Sequence, residues 1–208
     1  KLSVCESFMY LYHPQFLQIK NFIESHKLGR PKSIHCRFGL PKLDNPGFRF
    51  NKKLGGSCLF DVGCYPISAI LSLMPNTKVA ILKTLINLNS SNSIDVDGSV
   101  FLKVGSETNC LMEWAYDRSY RNDIDIWFDK GSLYSERIFS KDPKYKPSLE
   151  LRDIYGNLTT IKIDSVNHFE TMLKSFSNSI GNINEMSNHR KEIFNQSALL
   201  EKIKSFKD

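Results

Sequence analysis

The stretch that decides the fold is Gly55-Gly56-Ser57-Cys58-Leu59-Phe60-Asp61-Val62-Gly63-Cys64-Tyr65-Pro66. Glycine adopts positive φ and lets another backbone or a ligand approach closely, so the Gly55-Gly56 pair indicates a constrained turn. Apolar residues then recur at three- and four-residue steps through Met74, which predicts a helix. Pro66 fits this helix only near its first turn, where its missing N–H does no harm.

Asp61 and Tyr65 lie four residues apart, so they share one face of the predicted helix. A carboxylate beside a phenol, close to glycines and a helix start, forms a candidate polar site. The alternative is that Asp61 caps the helix and that Tyr65 packs with its hydroxyl hydrogen-bonded. Cys64 is either a nucleophile or a packed thiol, and no histidine or other base lies near it in sequence.

Composition indicates an ordinary globular domain. The chain has 208 residues, 41% hydrophobic and 24% charged, which suffices for a single domain over residues 1–208. Its apolar runs are too short to cross a bilayer, and its first residues lack a signal-peptide pattern. We therefore expect a cytoplasmic protein without a membrane partner. Five cysteines with no C-x-x-C pair favour packed thiols over disulfides or a zinc site.

The net charge of +6 raises the question of nucleic-acid binding. The basic residues are scattered and do not interleave with aromatics on a recognisable nucleic-acid-binding element, so nucleic acid is not an expected partner. The excess favours a solvated surface that attracts anionic ligands such as phosphorylated sugars or nucleotides. His26, His35 and His189 sit apart from any acid or second histidine at metal spacing, so no metal site is expected.

The remaining pattern predicts an α+β domain. Leu2–Tyr10 is predicted as a strand, the residues from Pro14 to about Gly29 as a helix, and Ile34–Leu40 as a strand. After the central helix come strand-like segments at Lys78–Leu88, Gly98–Val104, Thr108–Tyr116, Asp123–Phe128, Gly131–Arg137, Leu149–Ile154 and Leu158–Ile163, and then two helices. Short connections imply an open, mostly antiparallel sheet with helices packed on one face. The other face must be polar or find a partner, so we expect a homo-oligomer through it.

Two further positions carry alternatives. The long loop Pro41–Gly56 places Arg49 between Phe48 and Phe50. Arg49 either binds an anion or hydroxyl, or it is solvated or paired with Asp44. His168, at a predicted helix start, is either a ligand contact or a histidine satisfied by packing and backbone.

A dinucleotide fingerprint is missing. No G-x-G-x-x-G follows a strand and no βαβ alternation occurs, so the sequence by itself cannot hold a nicotinamide or flavin in the usual way.

Motifs along the chain nevertheless resemble one known family. Three motifs carry the resemblance: Glu6-Ser7-Phe8-Met9-Tyr10-Leu11-Tyr12-His13-Pro14-Gln15, then Arg49-Phe50, then the Gly-Gly stretch. Together they resemble the C-terminal half of the glucose–fructose oxidoreductase / inositol dehydrogenase / rhizopine catabolism (Gfo/Idh/MocA) family, especially its dihydrodiol dehydrogenase-like branch. Asn167-His168-Phe169 and residues 197–203 extend the match over nearly the whole chain. Leu11 stands where the family usually has arginine, and Ser57 where it has a third glycine.

The resemblance implies a fold. Members of the family join an N-terminal Rossmann domain, which binds NAD or NADP, to a C-terminal α+β domain like that of glyceraldehyde-3-phosphate dehydrogenase. This chain resembles the second domain alone, and the Rossmann domain is expected to be absent from it. The nicotinamide cofactor would therefore be bound mainly outside this chain, which alone would be inactive.

The resemblance also implies a reaction, the transfer of a hydride between a nicotinamide and a secondary alcohol or carbonyl of a sugar, polyol or related small molecule. By resemblance, Tyr65 would be the acid/base or would polarise the reacting oxygen, and Asp61 would bind a substrate hydroxyl or orient Tyr65. Tyr10, His13 and Arg49 would line the substrate pocket. The alternative is a stand-alone dimerisation or carbohydrate-binding module without catalysis.

Overall fold

The computed structural model describes residues 2–91 and 93–207. The helices are α1 (Pro14–Ser25), α2 (Cys64–Leu73), α3 (His168–Ser179) and α4 (Ile183–Ser205). The strands are β1 (Pro31–Gly39), β2 (Val79–Leu88), β3 (Asp95–Val104), β4 (Thr108–Ala115), β5 (Arg121–Phe128), β6 (Gly131–Glu136), β7 (Ser148–Asp153) and β8 (Leu158–Lys162). The eight strands form one open sheet in the order β2-β3-β4-β1-β5-β6-β7-β8. β1 pairs parallel with β4, and the other neighbours pair antiparallel. The predicted α+β class with a mostly antiparallel open sheet is confirmed.

The central strand β1 shows why the helices cover one face. Ile34, Cys36 and Phe38 alternate along it and are 0–6% exposed, in one core with residues of α1, α2 and α4. Burying an apolar side chain of this size contributes about 1.5–3 kcal/mol. The intervening His35 and Arg37 lie on the opposite face, where side chains alternate away from the core.

The face of the sheet opposite the helices, the open face, mixes ion pairs with exposed apolar side chains. His35 Nε2 lies 2.6 Å from a carboxylate oxygen of Glu113, and Arg37 Nε lies 2.8 Å from Asp123 Oδ1. The exposed apolar side chains are Leu85, Phe101 and Trp127, at 57%, 40% and 69% exposure.

The predicted central helix is present in two parts. Leu59–Gly63 forms a π turn, and α2 continues from Cys64. Pro66 is the third residue of α2, so its expected place in the first turn is confirmed. Two side chains accept hydrogen bonds from the first N–H groups of this helix. The Leu59 N–H donates to Asp95 Oδ2 at 2.6 Å, and the Phe60 N–H donates to Ser57 Oγ at 3.3 Å. Asp61 does not supply this cap, contrary to one of the two interpretations of the sequence.

The N-terminal strand prediction is wrong. The described residues 2–8 belong to no strand, and Met9–Tyr12 forms a 3₁₀ helix. The cause is local hydrogen bonding, because the N–H groups of Phe8, Met9 and Leu11 donate to carbonyls two or three residues back. A backbone that satisfies itself in this way has no donors left for a ladder. The apolar spacing predicts that the last helix, α4, begins at about Ser187, but the helix begins earlier, after the N-cap Asn182.

One segment, Lys52–Leu73, is long and apolar enough to cross a membrane by length and composition. Of the apolar 18-residue window within it, 56% is buried inside the fold. Gly55, at φ 79°, also separates its first 3₁₀ turn from the rest. These features are those of a core helix.

Candidate active site

The Gly-Gly turn is built for close backbone approach. Gly55 adopts the left-handed conformation with φ 79°. A Cβ on Gly56 would lie 2.5 Å from the carbonyl oxygen of Arg49 and 2.6 Å from that of Phe48, so only glycine fits there. The turn therefore lets the main chain of the loop that carries Arg49 lie close to the start of the π turn. The sequence pattern predicted a constrained turn of this kind.

Asp61 lies where the Arg49 loop meets the π turn, and it accepts hydrogen bonds from two other polar side chains. Its Oδ2 accepts from Arg49 Nε at 2.8 Å and from the Tyr116 hydroxyl at 2.9 Å. The same hydroxyl lies 3.1 Å from the Ser57 carbonyl. Burial, followed by the Asp61 charge, raises the pKa of Tyr116, which keeps the phenol protonated as a donor. Arg49 is thus paired, and its partner is Asp61 rather than Asp44.

Tyr65 lies partly buried in an aromatic cage. Its ring contacts those of Phe8, Phe38, Tyr10 and Phe139 at centroid distances of 5.1, 5.2, 6.0 and 5.9 Å. Among the described residues its hydroxyl has no hydrogen-bond partner. Burial, with smaller effects from nearby acidic groups, raises the pKa of Tyr65 to about 12, so the phenol is neutral at physiological pH.

Asp61 and Tyr65 are not hydrogen-bonded to each other. The π turn changes the helical phase between them, so the four-residue spacing does not place them as an α-helix would. The charge of Asp61 still contributes to the raised pKa of Tyr65. Asp61 Oδ1 makes no hydrogen bond within the described part of the chain, which leaves it available to a ligand hydroxyl.

The structure assigns Tyr10 and His13 to the interior. Both are 0% exposed. The Tyr10 hydroxyl bonds to Ser68 Oγ, and it lies 3.4 Å from the carbonyl oxygen of Tyr65. His13 caps α1, because its Nδ1 accepts from Gln15 N at 3.0 Å. Their burial leaves neither side chain a surface for substrate, which corrects their predicted place in the pocket wall; Tyr10 instead supports the backbone at Tyr65.

Cys64 is a buried thiol whose pKa burial raises to about 12, so it is not a nucleophile at neutral pH. No group of three or more histidine, cysteine or acidic side chains that could hold a metal occurs in the ranges 2–91 and 93–207. His168 is buried at the start of α3 and contacts His13 rather than the surface.

Sequence reasoning missed three contributors to this region, Asp95, Tyr116 and Phe139. Each comes from a strand or loop far along the chain. Asp95 accepts from the Leu59 N–H at the start of the π turn, Tyr116 donates to Asp61, and Phe139 packs against Tyr65. No local motif marks any of them.

Comparison with known proteins decides the family. The profile of the GFO/IDH/MocA C-terminal domain matches residues 16–134, more than half of the chain. The chain belongs to this family. A dTDP-3,4-didehydro-2,6-dideoxy-alpha-D-glucose 3-reductase of Actinomadura kijaniata is 23% identical over 150 residues, 72% of this chain and 45% of the relative. A D-xylose 1-dehydrogenase (NADP(+)) 2 of Haloferax volcanii is 23% identical over 180 residues, 86% of this chain and 54% of the relative.

Solved structures agree on the fold. A 3-ketoreductase from Actinomadura kijaniata, in complex with NADP and TDP-benzene, superposes with a TM-score of 0.89 at 18% identity. The match covers 98% of this chain and 62% of that protein. The GFO/IDH/MocA chain described here spans about half the length of the curated relatives it matches.

Proposed function

We propose that this GFO/IDH/MocA domain is the substrate-binding part of an NAD(P)-dependent oxidoreductase that acts on a secondary alcohol or carbonyl of a sugar, polyol or related small molecule. The single observation that carries the proposal is the Tyr65 phenol, partly exposed and without a hydrogen-bond partner among the described residues, beside the Asp61 cluster. The relatives, which include a dTDP-sugar reductase and an NADP-dependent xylose dehydrogenase, support the reaction class.

The proposed role of Tyr65 follows from its protonation. A nicotinamide bound by a second domain would supply or accept the hydride. With a pKa of about 12, Tyr65 holds its proton at neutral pH and can donate it to the oxygen of a carbonyl that is being reduced. In the direction of oxidation, the same phenol would need a neighbouring cation to lower its pKa. The chain alone thus favours Tyr65 as an acid in reduction.

Asp61 has the proposed role of holding the substrate. Arg49 and Tyr116 fix its Oδ2, so the carboxylate cannot swing away, and Oδ1 is left to accept from a sugar hydroxyl. A hydrogen bond to a charged group contributes about 1.5–3 kcal/mol. Arg49 therefore acts through Asp61 rather than as a free anion site.

We also propose that the open face of the sheet forms a homo-oligomer. Leu85, Phe101 and Trp127 give it exposed apolar surface. The ion pairs of β1 with β4 and β5 lie between Phe101 and Trp127 on this face, so the proposed interface would combine apolar contacts with charged groups.

The test of the catalytic proposal uses the longer protein that joins this chain to a nucleotide-binding domain. Oxidation of NADH or NADPH would be followed with keto-sugars, both free and linked to a nucleotide. Turnover with one nucleotide cofactor, lost when the 208-residue chain is assayed alone, supports the proposal. No turnover with any of them, together with binding of a sugar, would instead support a carbohydrate-binding module.

A further inference from the structure

The helix α3 carries an apolar stripe that faces solvent. The stripe follows three- and four-residue steps along one face of the helix and its C-cap, and its members are Phe169, Leu173, Phe176 and Ile180. Phe169, Leu173 and Ile180 are 49%, 60% and 59% exposed, and Phe176 is half-buried. A surface helix ordinarily turns its apolar stripe toward the core. The described chain therefore leaves uncovered a face that is suited to burial.

The opposite face of α3, which packs on the chain, is less apolar. Its buried residues are His168, Met172 and Ser179, and it lies against the 3₁₀ helix Met9–Tyr12. Only Met172 among the three has an apolar side chain, so the inner face gains less from the hydrophobic effect than the outer stripe would. The sequence of α3 thus provides for two contacts, one with this chain and one with a surface outside it.

The apolar surface continues from α3 to the first residue of α4. Gly181, at φ 87°, lies in the turn between the two helices, and Ile183 is 77% exposed. Two charged residues of α3, Glu170 and Lys174, form an ion pair of 2.6 Å. Because these charges compensate each other, they add no net charge to α3. The surface therefore favours an apolar protein partner over an anionic one such as nucleic acid or a lipid headgroup.

One element separates α3 from the candidate active site. His168, next to the first residue of the stripe, contacts His13 at a ring-centroid distance of 5.9 Å. The 3₁₀ helix on which α3 packs contains Tyr10, whose ring contacts that of Tyr65 at 6.0 Å. A protein surface that covers the stripe therefore comes close to Tyr65.

We propose that the α3 stripe, together with Ile183, is the docking surface for the nucleotide-binding domain of the longer protein. The inference rests on the proposed function, in which a nicotinamide held by a second domain reaches a substrate beside Tyr65. The chain covers only 62% of the 3-ketoreductase on which it superposes, so a protein of that length has a further part to place. Contacts between domains of one chain bury about 600–1,500 Å², which requires uncovered surface of this kind. The open face cannot serve this purpose, because it lies across the sheet from the helix that carries Tyr65.

Cysteine labelling of the longer protein measures whether the stripe is covered. Leu173→Cys and Ile154→Cys replace side chains that are 60% and 64% exposed in this chain, and Ile154 lies in the turn between β7 and β8. Modification by a maleimide would be followed on the peptide that carries each new thiol. Leu173→Cys should react at least about tenfold more slowly than Ile154→Cys, since a covered thiol reacts only when the contact opens. Equal rates would overturn the proposal.

Photo-crosslinking identifies what covers the stripe. With benzoylphenylalanine in place of Leu173, the crosslinked peptide should belong to the nucleotide-binding domain of the same molecule, at every protein concentration. A crosslink to a second copy, which increases with protein concentration, would overturn the choice of partner.

Neither measurement depends on activity, so the docking surface and the proposed function can fail separately. A protected Leu173→Cys in a protein that reduces no keto-sugar would support the docking surface and remove the function. An active enzyme in which Leu173→Cys reacts as fast as the control would do the reverse.

Discussion

The carboxylate of Asp61 and the hydroxyl of Tyr116 are joined by a hydrogen bond of 2.9 Å across 55 residues of sequence. This bond fastens the π turn to the end of β4 and orients the carboxylate that we assign to substrate. The position of the polar group Asp61 therefore depends on the sheet as much as on the helix that carries it.

Tyr116→Phe should destabilise the chain by about 1.5–3 kcal/mol, because the variant loses a buried hydrogen bond to a charged group. Urea unfolding followed by circular dichroism measures the change. Tyr134→Phe is the matched control, since its hydroxyl has no hydrogen-bond partner among the described residues. Equal stabilities of the two variants would show that the bond to Asp61 contributes nothing.

Tyr65→Phe should lower turnover of the longer enzyme by about 10²–10⁴-fold, the usual contribution of a positioned general acid. The melting temperature should not change, because no hydrogen bond of the described chain is lost. Tyr155→Phe, at an 82% exposed position, is the control for both readouts. Turnover that survives in Tyr65→Phe would remove Tyr65 from the mechanism.

Gly98→Ala should destabilise the fold by about 1–3 kcal/mol, the range for an overpacked core. Its new Cβ would lie 2.6 Å from the Trp114 ring and 2.8 Å from the Leu85 carbonyl oxygen. Gly39→Ala is the control within the same sheet, because its nearest contact would be an ordinary 3.5 Å. Chemical denaturation of both variants separates the effect of close packing from that of replacing glycine in a strand.

The buried side chains of His13 and His168 predict that the stability of the fold depends on pH. The pKa values of His13 and His168, about 3 and about 4, lie below the ordinary value of 6.5. Between pH 6.5 and 4 the unfolded chain therefore binds more protons than the folded chain, and the free energy of unfolding falls as the pH falls. His168→Gln should flatten this dependence by on the order of 2–3 kcal/mol. An unchanged slope in the variant contradicts the assignment to His168.

Trp127→Lys should convert a homo-oligomer to the 23.9 kDa monomer, because it replaces the most exposed of the three apolar side chains named on the open face with a charge. Light scattering after size exclusion gives the mass. Tyr155→Lys, at the turn between β7 and β8, should leave the assembly intact. A monomeric parent chain, or an oligomer that survives in Trp127→Lys, would show that the open face is not the interface.

Much of the fold is predictable from the sequence because its signals are local. Alternation of apolar residues located the strands, and three- and four-residue spacing located the helices. Leu2–Tyr10 failed because apolar, aromatic content does not distinguish a strand from an extended segment that ends in a 3₁₀ helix. The parallel pairing of β1 with β4 could not be predicted from local sequence patterns either, because it depends on which strands, distant in sequence, lie side by side in the sheet.

The arrangement of the candidate site was predictable only in part. The sequence points to the Asp61–Tyr65 segment and Arg49 as candidates, and the structure brings Asp61 and Arg49 into direct contact. Their roles toward a substrate stay a prediction. Tyr10 and His13 both belong to the motif Glu6–Gln15 that resembles the family, yet their side chains are buried in the interior. A motif identifies residues that a fold retains, but it does not separate those that face a ligand from those that support the backbone beneath it.

The central position of β1 has a consequence for how the chain is made. β1 ends at Gly39, but its antiparallel partner β5 ends at Phe128, so the ribosome must add about 90 residues before the strand is flanked on both sides. At about 5–20 residues per second this takes roughly 5–20 s. During that time the apolar face of Ile34, Cys36 and Phe38 is available to a chaperone, which makes this segment the natural place for a nascent-chain holdase to bind.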